Sequence, residues 1–192
     1  MRASRELRRL QLIEAAIAVV GSRGLHDATV SQIAAAAGFT GANLYRYFGD
    51  KDGLVEASMR YIVELAAAEQ RRLLAAAGSA EERLQAAVRA YLAPAVFRVE
   101  SCRAWVHFCA QAPHAKPLAL LERLHARSRL RSLRQAASAL MPVAAAASLA
   151  ADLAALLDGL WVQRAQVDEG LSPEEAWALV EPVLLRAADG EA

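Results

Sequence analysis

Asn43, Tyr45, Arg46 and Tyr47 crowd one short stretch, Gly41 to Phe48, and Lys51 follows directly. An amide, two phenols, a guanidinium and an ammonium at this density suit hydrogen bonding to phosphate oxygens and base edges. A helix that only had to stay in solution would more often carry Glu and Lys there. Leu44 and Phe48 stand at i, i+4 and point inward, leaving Gly41, Asn43, Tyr45, Arg46 and Tyr47 outward. Asn43 has the chemistry to read adenine and Arg46 to read guanine; Thr40, Tyr45, Tyr47 and Lys51 suit phosphate.

The elements that must hold this stretch are legible on either side of it. Thr29 is placed to N-cap a helix, with Gln32 three residues on completing a capping box. Ile33, Ala34 and Ala37 give that helix a narrow face on which another can pack closely. Gly38 follows where a left-handed residue is wanted, and Thr40 can cap the next helix. Two short helices joined by a tight turn, the second rich in hydrogen-bonding groups, have the layout of a DNA-reading helix-turn-helix. A plain pair of packed helices is the competing reading.

Charge is distributed in keeping with this. The 192 residues carry a net +1, but residues 1–53 hold seven basic against five acidic groups, and the remainder 15 against 16. Arg2, Arg5, Arg8 and Arg9 gather at the start, as an arm that either solvates a helix end or touches phosphate. The charged N-terminus does not read as a signal peptide, no run of about 18 uninterrupted apolar residues indicates a membrane span, and a cytoplasmic protein is expected.

Helical periodicity continues along the chain. It predicts helices over 7–22, 51–77, 80–92, 95–111, 117–140 and 144–169, and a last one opened by Ser172-Pro173-Glu174-Glu175. Ser79 to Glu82 forms another capping box. The fold class is all-α, about nine helices, with a helix-turn-helix domain at 1–53 and a helical body at 54–192.

The 144–169 helix is apolar nearly all round, and two buried faces imply a second packing partner. Leu149, Leu153, Leu156 and Leu160, with Val180, Val183 and Leu184 of the last helix, are the expected homodimer interface, a four-helix bundle. Two reading helices about 34 Å apart would then meet successive major grooves of a pseudo-palindromic operator. In the middle helices Tyr91, Phe97, Trp105, Phe108 and Trp161 are either core or an aromatic cage. Asp158, one turn before Trp161, needs a partner: a neighbour such as Arg164, or an organic cation held over aromatic faces.

Other chemistry is thin. Cys102 and Cys109 are too far apart along one helix for a disulfide, about 10 Å. His107 and His114 lack zinc spacing. Arg123, Arg127, Arg131 and Arg134 recur on one face, solvated or facing an acidic partner. No nucleophile–base set is present, and neither an enzyme, a cofactor nor a metal site is expected.

The segment from Thr29 to Leu54 resembles the DNA-binding end of the TetR family of bacterial repressors. Thr29, Ile33, Ala34, Ala37, Gly38, Thr40, Leu44, Tyr45, Tyr47, Phe48, Lys51 and Leu54 stand at the family's positions without a gap. Gly41 stands where a Lys or Thr often contacts DNA. The resemblance implies a DNA-binding set of Thr29, Thr40, Gly41, Asn43, Tyr45, Arg46, Tyr47 and Lys51. Within the family, the stretches RRLQLIEA, GLHDATVSQIA, DKDGLVEASMR, GSAEERLQA, RAWVHF and LAALLDGLW resemble the choline-responsive repressors of glycine betaine biosynthesis. This implies a dimeric repressor released by choline or a related quaternary ammonium compound. Carried over by position, Trp105 and the segment from Asp158 to Trp161 match, and Phe108 and Cys109 fall where a further Trp is expected; with Tyr91 and Phe97 of the aromatic cluster they make the expected ligand set. The recognition helix departs from that subgroup, so an efflux or catabolic regulator sensing another apolar or cationic ligand stays open. So does a helical interaction dimer without a ligand.

Overall fold

Side-chain caps start several helices. Thr29 Oγ1 accepts from Gln32 N at 3.2 Å, and Gln32 Oε1 accepts from Thr29 N at 2.9 Å. Ser79 with Glu82 and Ser172 with Glu175 repeat the reciprocal pattern, each using two otherwise unpaired backbone donors. At the other ends, Gly24, Gly38 and Gly49 take the left-handed conformation (φ +82°, +73° and +80°) that stops a helix without a Cβ clash.

The computed structural model describes residues 2–166 and 170–188. Among them the elements are α1 (Arg2–Arg23), α2 (Val30–Ala36), α3 (Gly41–Phe48), α4 (Lys51–Ala76), α5 (Ala80–Leu92), α6 (Val99–Gln111), α7 (Lys116–Ala137), α8 (Val143–Gln166) and α9 (Pro173–Ala188). A 3₁₀ turn, Ala112–His114, follows α6. No strand occurs among the described residues, and the fold is all-α.

Three boundaries among the described residues differ from the sequence-based expectation by more than one residue. α1 begins at Arg2 rather than residue 7. α6 begins at Val99 rather than 95, because Val96 and Phe97 both donate to the Ala93 carbonyl in a turn set by Pro94. α7 ends at Ala137, where Leu140 and Met141 turn back onto its carbonyl ahead of Pro142. The expected extension of α8 to 169 lies outside the described residues, as does the Arg2 side chain.

The chain divides into two compact units. The first comprises Met1–Val63 and Val99–Glu122, the second Glu64–Arg98 and Arg123–Ala192. In the first, α1 packs on α6 and on α2, which carries α3. Leu12, Ile13, Ile17, Ile33, Leu44, Leu54, Met59 and Phe108 are its large buried side chains. In the second, α9 packs on α5 and α8. Leu133, Leu153, Leu157 and Phe97 are buried there.

α8 is long and apolar enough by length and composition to cross a membrane, the one such helix among the described residues. Asp152 and Asp158 interrupt it, so a search for unbroken apolar runs passes over it. Its leucine side faces the core of its own unit, while Ala147, Ala151, Ala155 and Val162 stay exposed at helical spacing.

Candidate functional site

In the first unit, α3 stands on α2 through Leu44, which is fully buried. Arg46 is exposed and its guanidinium lies 5.1 Å from the Tyr47 ring centre; Tyr45 is 54% exposed. Arg9 covers the half-buried Phe48 at 5.3 Å, joining the start of α1 to α3. Ser4, Arg5, Arg8, Arg46 and Tyr47 line an open concavity of about 560 Å³. Three guanidinium groups with no carboxylate among its lining residues make it a surface suited to phosphate.

Two of the expected contacts are committed within the protein. Asn43 Oδ1 accepts from the Thr40 amide at 3.3 Å and from Thr40 Oγ1 at 2.8 Å, forming the cap of α3. Bidentate reading of adenine needs that same oxygen. Asn43 therefore presents its NH₂ outward, and reading adenine through both groups would require giving up this cap. Lys51 Nζ donates to the Leu25 carbonyl at 2.7 Å. That bond ties the start of α4 to the loop after α1, a structural use that a phosphate contact would compete with. Thr29 is engaged in its cap, and Gly41 lies 3.5 Å, measured from an ideal Cβ, from the Val30 side chain of α2.

The second unit gathers four of the expected ligand residues. Trp161 Nε1 donates to the Tyr91 carbonyl at 3.1 Å, and its ring meets Phe97 edge-on at 6.1 Å. Tyr91, Phe97 and Trp161 are buried. Asp158 is held bidentately by Arg129 of α7, at 2.7 and 2.6 Å, not by Arg164. Arg164 instead donates to the carbonyls of Gly170 and Leu171. The Arg129 guanidinium lies 5.9 Å from the Tyr91 ring centre and that of Arg164 5.7 Å from Phe97. Trp105, Phe108 and Cys109 belong to α6 in the first unit, where Phe108 is fully buried and Cys109 is half-buried and in no disulfide.

Sequence reasoning passed over Arg129 and His125. Both sit on α7, where one face reads as a solvated arginine stripe; the discriminating signal was that Arg129 falls off the 123–127–131–134 stripe. His125 stacks edge-on against Tyr91 at 5.8 Å. Burial lowers its pKa to about 4, the Arg129 charge pushing the same way and Asp158 opposing. Burial raises the Tyr91 phenol to about 12, the Arg129 charge opposing.

The residues assigned to the dimer interface are largely spent on the chain's own core. Leu149, Leu153, Leu160, Val180 and Leu184 are buried within one chain, so a second subunit cannot reach them. Leu156 and Val183 are half-buried. The apolar surface left open on α8 and α9 includes Val143, Ala147, Ala151, Ala155, Val162, Leu179, Pro182 and Leu185.

Residues 12–58 match the bacterial regulatory proteins of the tetR family, and residues 80–188 match the C-terminal domain of BetI-type transcriptional repressors. The chain belongs to the TetR family. It is 36% identical over 176 residues to the HTH-type transcriptional regulator BetI of Burkholderia mallei, covering 91% of this chain and 90% of that one. To the BetI regulator of Serratia proteamaculans it is 37% identical over 175 residues, covering 90% and 88%. Among solved structures, a transcriptional regulator of Rhodococcus sp. Rha1 superposes with TM-score 0.81 at 21% identity over 96% of this chain and 98% of that one. A Saccharomonospora viridis regulator in complex with choline gives 0.77 at 20% identity over 92% and 95%. These two likenesses are of fold. The chain is thus a TetR-family, BetI-type transcriptional repressor and not an enzyme.

Proposed function

We propose that this repressor works in the cytoplasm as a homodimer, binds a pseudo-palindromic operator through α3, and is released by choline or a related quaternary ammonium compound. The observation that carries the ligand reading is Asp158 paired with Arg129, whose guanidinium lies against the ring of buried Tyr91 in the BetI-type domain. A carboxylate with aromatic faces is what a quaternary ammonium requires. The choline complex of the Saccharomonospora viridis regulator, similar in fold, supports the same ligand class.

On DNA, Arg46 serves as the base reader. Arg5, Arg8 and Tyr47, which line one concavity with it, hold phosphate. The dimer forms through the open faces of α8 and α9. The residue sets 1–53 and 54–192 divide the labour between operator and effector.

Fluorescence anisotropy of the protein's own upstream DNA, at fixed salt with and without choline, tests this reading. Tight binding released by choline supports repressor and effector class together. Tight binding indifferent to choline leaves the repressor and refutes the effector.

A second reading has one observation in its favour. The faces of Tyr91 and Phe97 already carry guanidinium groups, which suits an effector bearing an anionic group. Glycine betaine and simple carboxylates, titrated beside choline, would separate the two.

A further inference from the structure

Arg129 already meets both demands that an organic cation would make. Its guanidinium bonds both oxygens of Asp158 and lies within cation–π distance of Tyr91. The two partners differ in access: the Arg129 side chain is 10% exposed and that of Asp158 56%. Arg129 Nε is buried and makes no hydrogen bond, so the guanidinium's hydrogen bonds run to the carboxylate, with the Tyr91 ring as its other neighbour. The pair bridges α7 to α8, 29 residues apart in sequence. Asp158 also shares a side of α8 with Ala151, Ala155 and Val162, the face left open on that helix.

We infer that Arg129 is a built-in stand-in for the cationic effector, and that the effector acts by displacing Arg129 from Asp158 and the Tyr91 face. This rests on the cation reading above and adds how it is regulated. Without effector, the ion pair latches α7 to α8 and maintains the operator-binding state. An incoming cation takes the carboxylate and the ring face. The freed guanidinium is then left without its counter-charge beside the open face of α8, and the latch is lost. A ligand shifts the equilibrium only by its differential affinity for the two states, and here the difference is one carboxylate contested by two cations. The inference also yields a specificity rule: a neutral molecule of the same shape cannot outcompete a bidentate guanidinium.

The test uses the full chain, choline, and its uncharged isostere 3,3-dimethylbutan-1-ol. Ligand affinity is read from tryptophan fluorescence and operator affinity from anisotropy without ligand. Arg129→Met keeps apolar bulk and removes the competitor. It should bind choline about tenfold tighter or more and the isostere no differently, while its ligand-free operator affinity falls about fivefold or more. Asp158→Asn, which keeps the side-chain shape and removes the charge, should lose both choline affinity and operator affinity. Circular dichroism checks that both variants fold. Arg129→Met binding choline no tighter than the parent, or Asp158→Asn binding it unchanged, overturns the competition. If neither parent nor Arg129→Met binds choline, the effector reading fails instead, and the latch is judged on operator affinity: unchanged affinity in Arg129→Met overturns it.

Discussion

Gly21 of α1 lies against the backbone of Glu100 in α6, so near that an ideal Cβ on Gly21 would stand 2.9 Å from the Glu100 carbonyl oxygen and 3.2 Å from its Cα. The neighbour is backbone, which cannot swing aside as a side-chain tip can. The absence of a side chain at position 21 is thus what lets α1 seat on α6. Gly21→Ala should cost about 1–3 kcal/mol by overpacking, read as a lower melting temperature. An unchanged melt would show that α6 yields at no cost.

Arg46 and Asn43 should separate by the kind of loss each causes. Arg46→Ala should relax specificity at one operator position at a cost of about 1–3 kcal/mol there. Asn43→Ala should lose about 0.5–2 kcal/mol of stability through the α3 cap, and weaken binding to all sequences alike. Specificity lost on Asn43→Ala, with the melt intact, would return Asn43 to base reading.

Lys51 is tied to the Leu25 carbonyl, and that predicts an unusual salt signature. Lys51→Met should lower stability by about 1–3 kcal/mol, the worth of a charge-assisted bond. The slope of log affinity against log salt should stay as in the parent. A slope smaller by about one would mean that Lys51 neutralises a phosphate.

His125 should make the protein acid-sensitive. Its folded pKa, about 4, lies below the ordinary histidine value of 6.5, because the charged form is buried beside Tyr91 and repelled by Arg129, with Asp158 opposing. Between these values the unfolded chain binds a proton that the folded one refuses, so stability falls as pH falls from 6.5 to 4. The loss from this group is on the order of 3 kcal/mol. Denaturant midpoints across that range, compared with His125→Leu, isolate it: the difference should shrink toward low pH, and a constant difference would refute the assignment.

Leu185→Glu and Leu153→Glu should diverge. Leu185 is 60% exposed on α9 and Leu153 is fully buried on α8. Leu185→Glu should yield a folded monomer by sedimentation, with operator affinity lost. Leu153→Glu should not fold at all, since a carboxylate buried without a partner is costly. A dimeric Leu185→Glu protein would move the interface elsewhere.

Which residues form helices was readable from the chain because the determinants are local. Caps at Thr29, Ser79 and Ser172, the stop at Gly38 and the i, i+4 pair Leu44–Phe48 act within one turn, and each appears in the fold. The starts of α1 and α6 were missed. At the latter, the turn after Pro94 depends on two bonds to a single carbonyl, which residue type does not announce.

The sequence by itself determined the all-α class, the helix-turn-helix and the family, because these rest on spacing within a few residues and on matches along the chain. Only the tertiary structure decided that Asp158 belongs to Arg129, that Asn43 and Lys51 bond within the protein, and which side of α8 is core. Periodicity shows that two faces of a helix are apolar without showing which one the rest of the chain covers. Nor does it say which of several arginines reaches a given carboxylate. Those choices follow from packing between segments tens of residues apart, where the free energy depends on three-dimensional neighbours rather than on sequence neighbours.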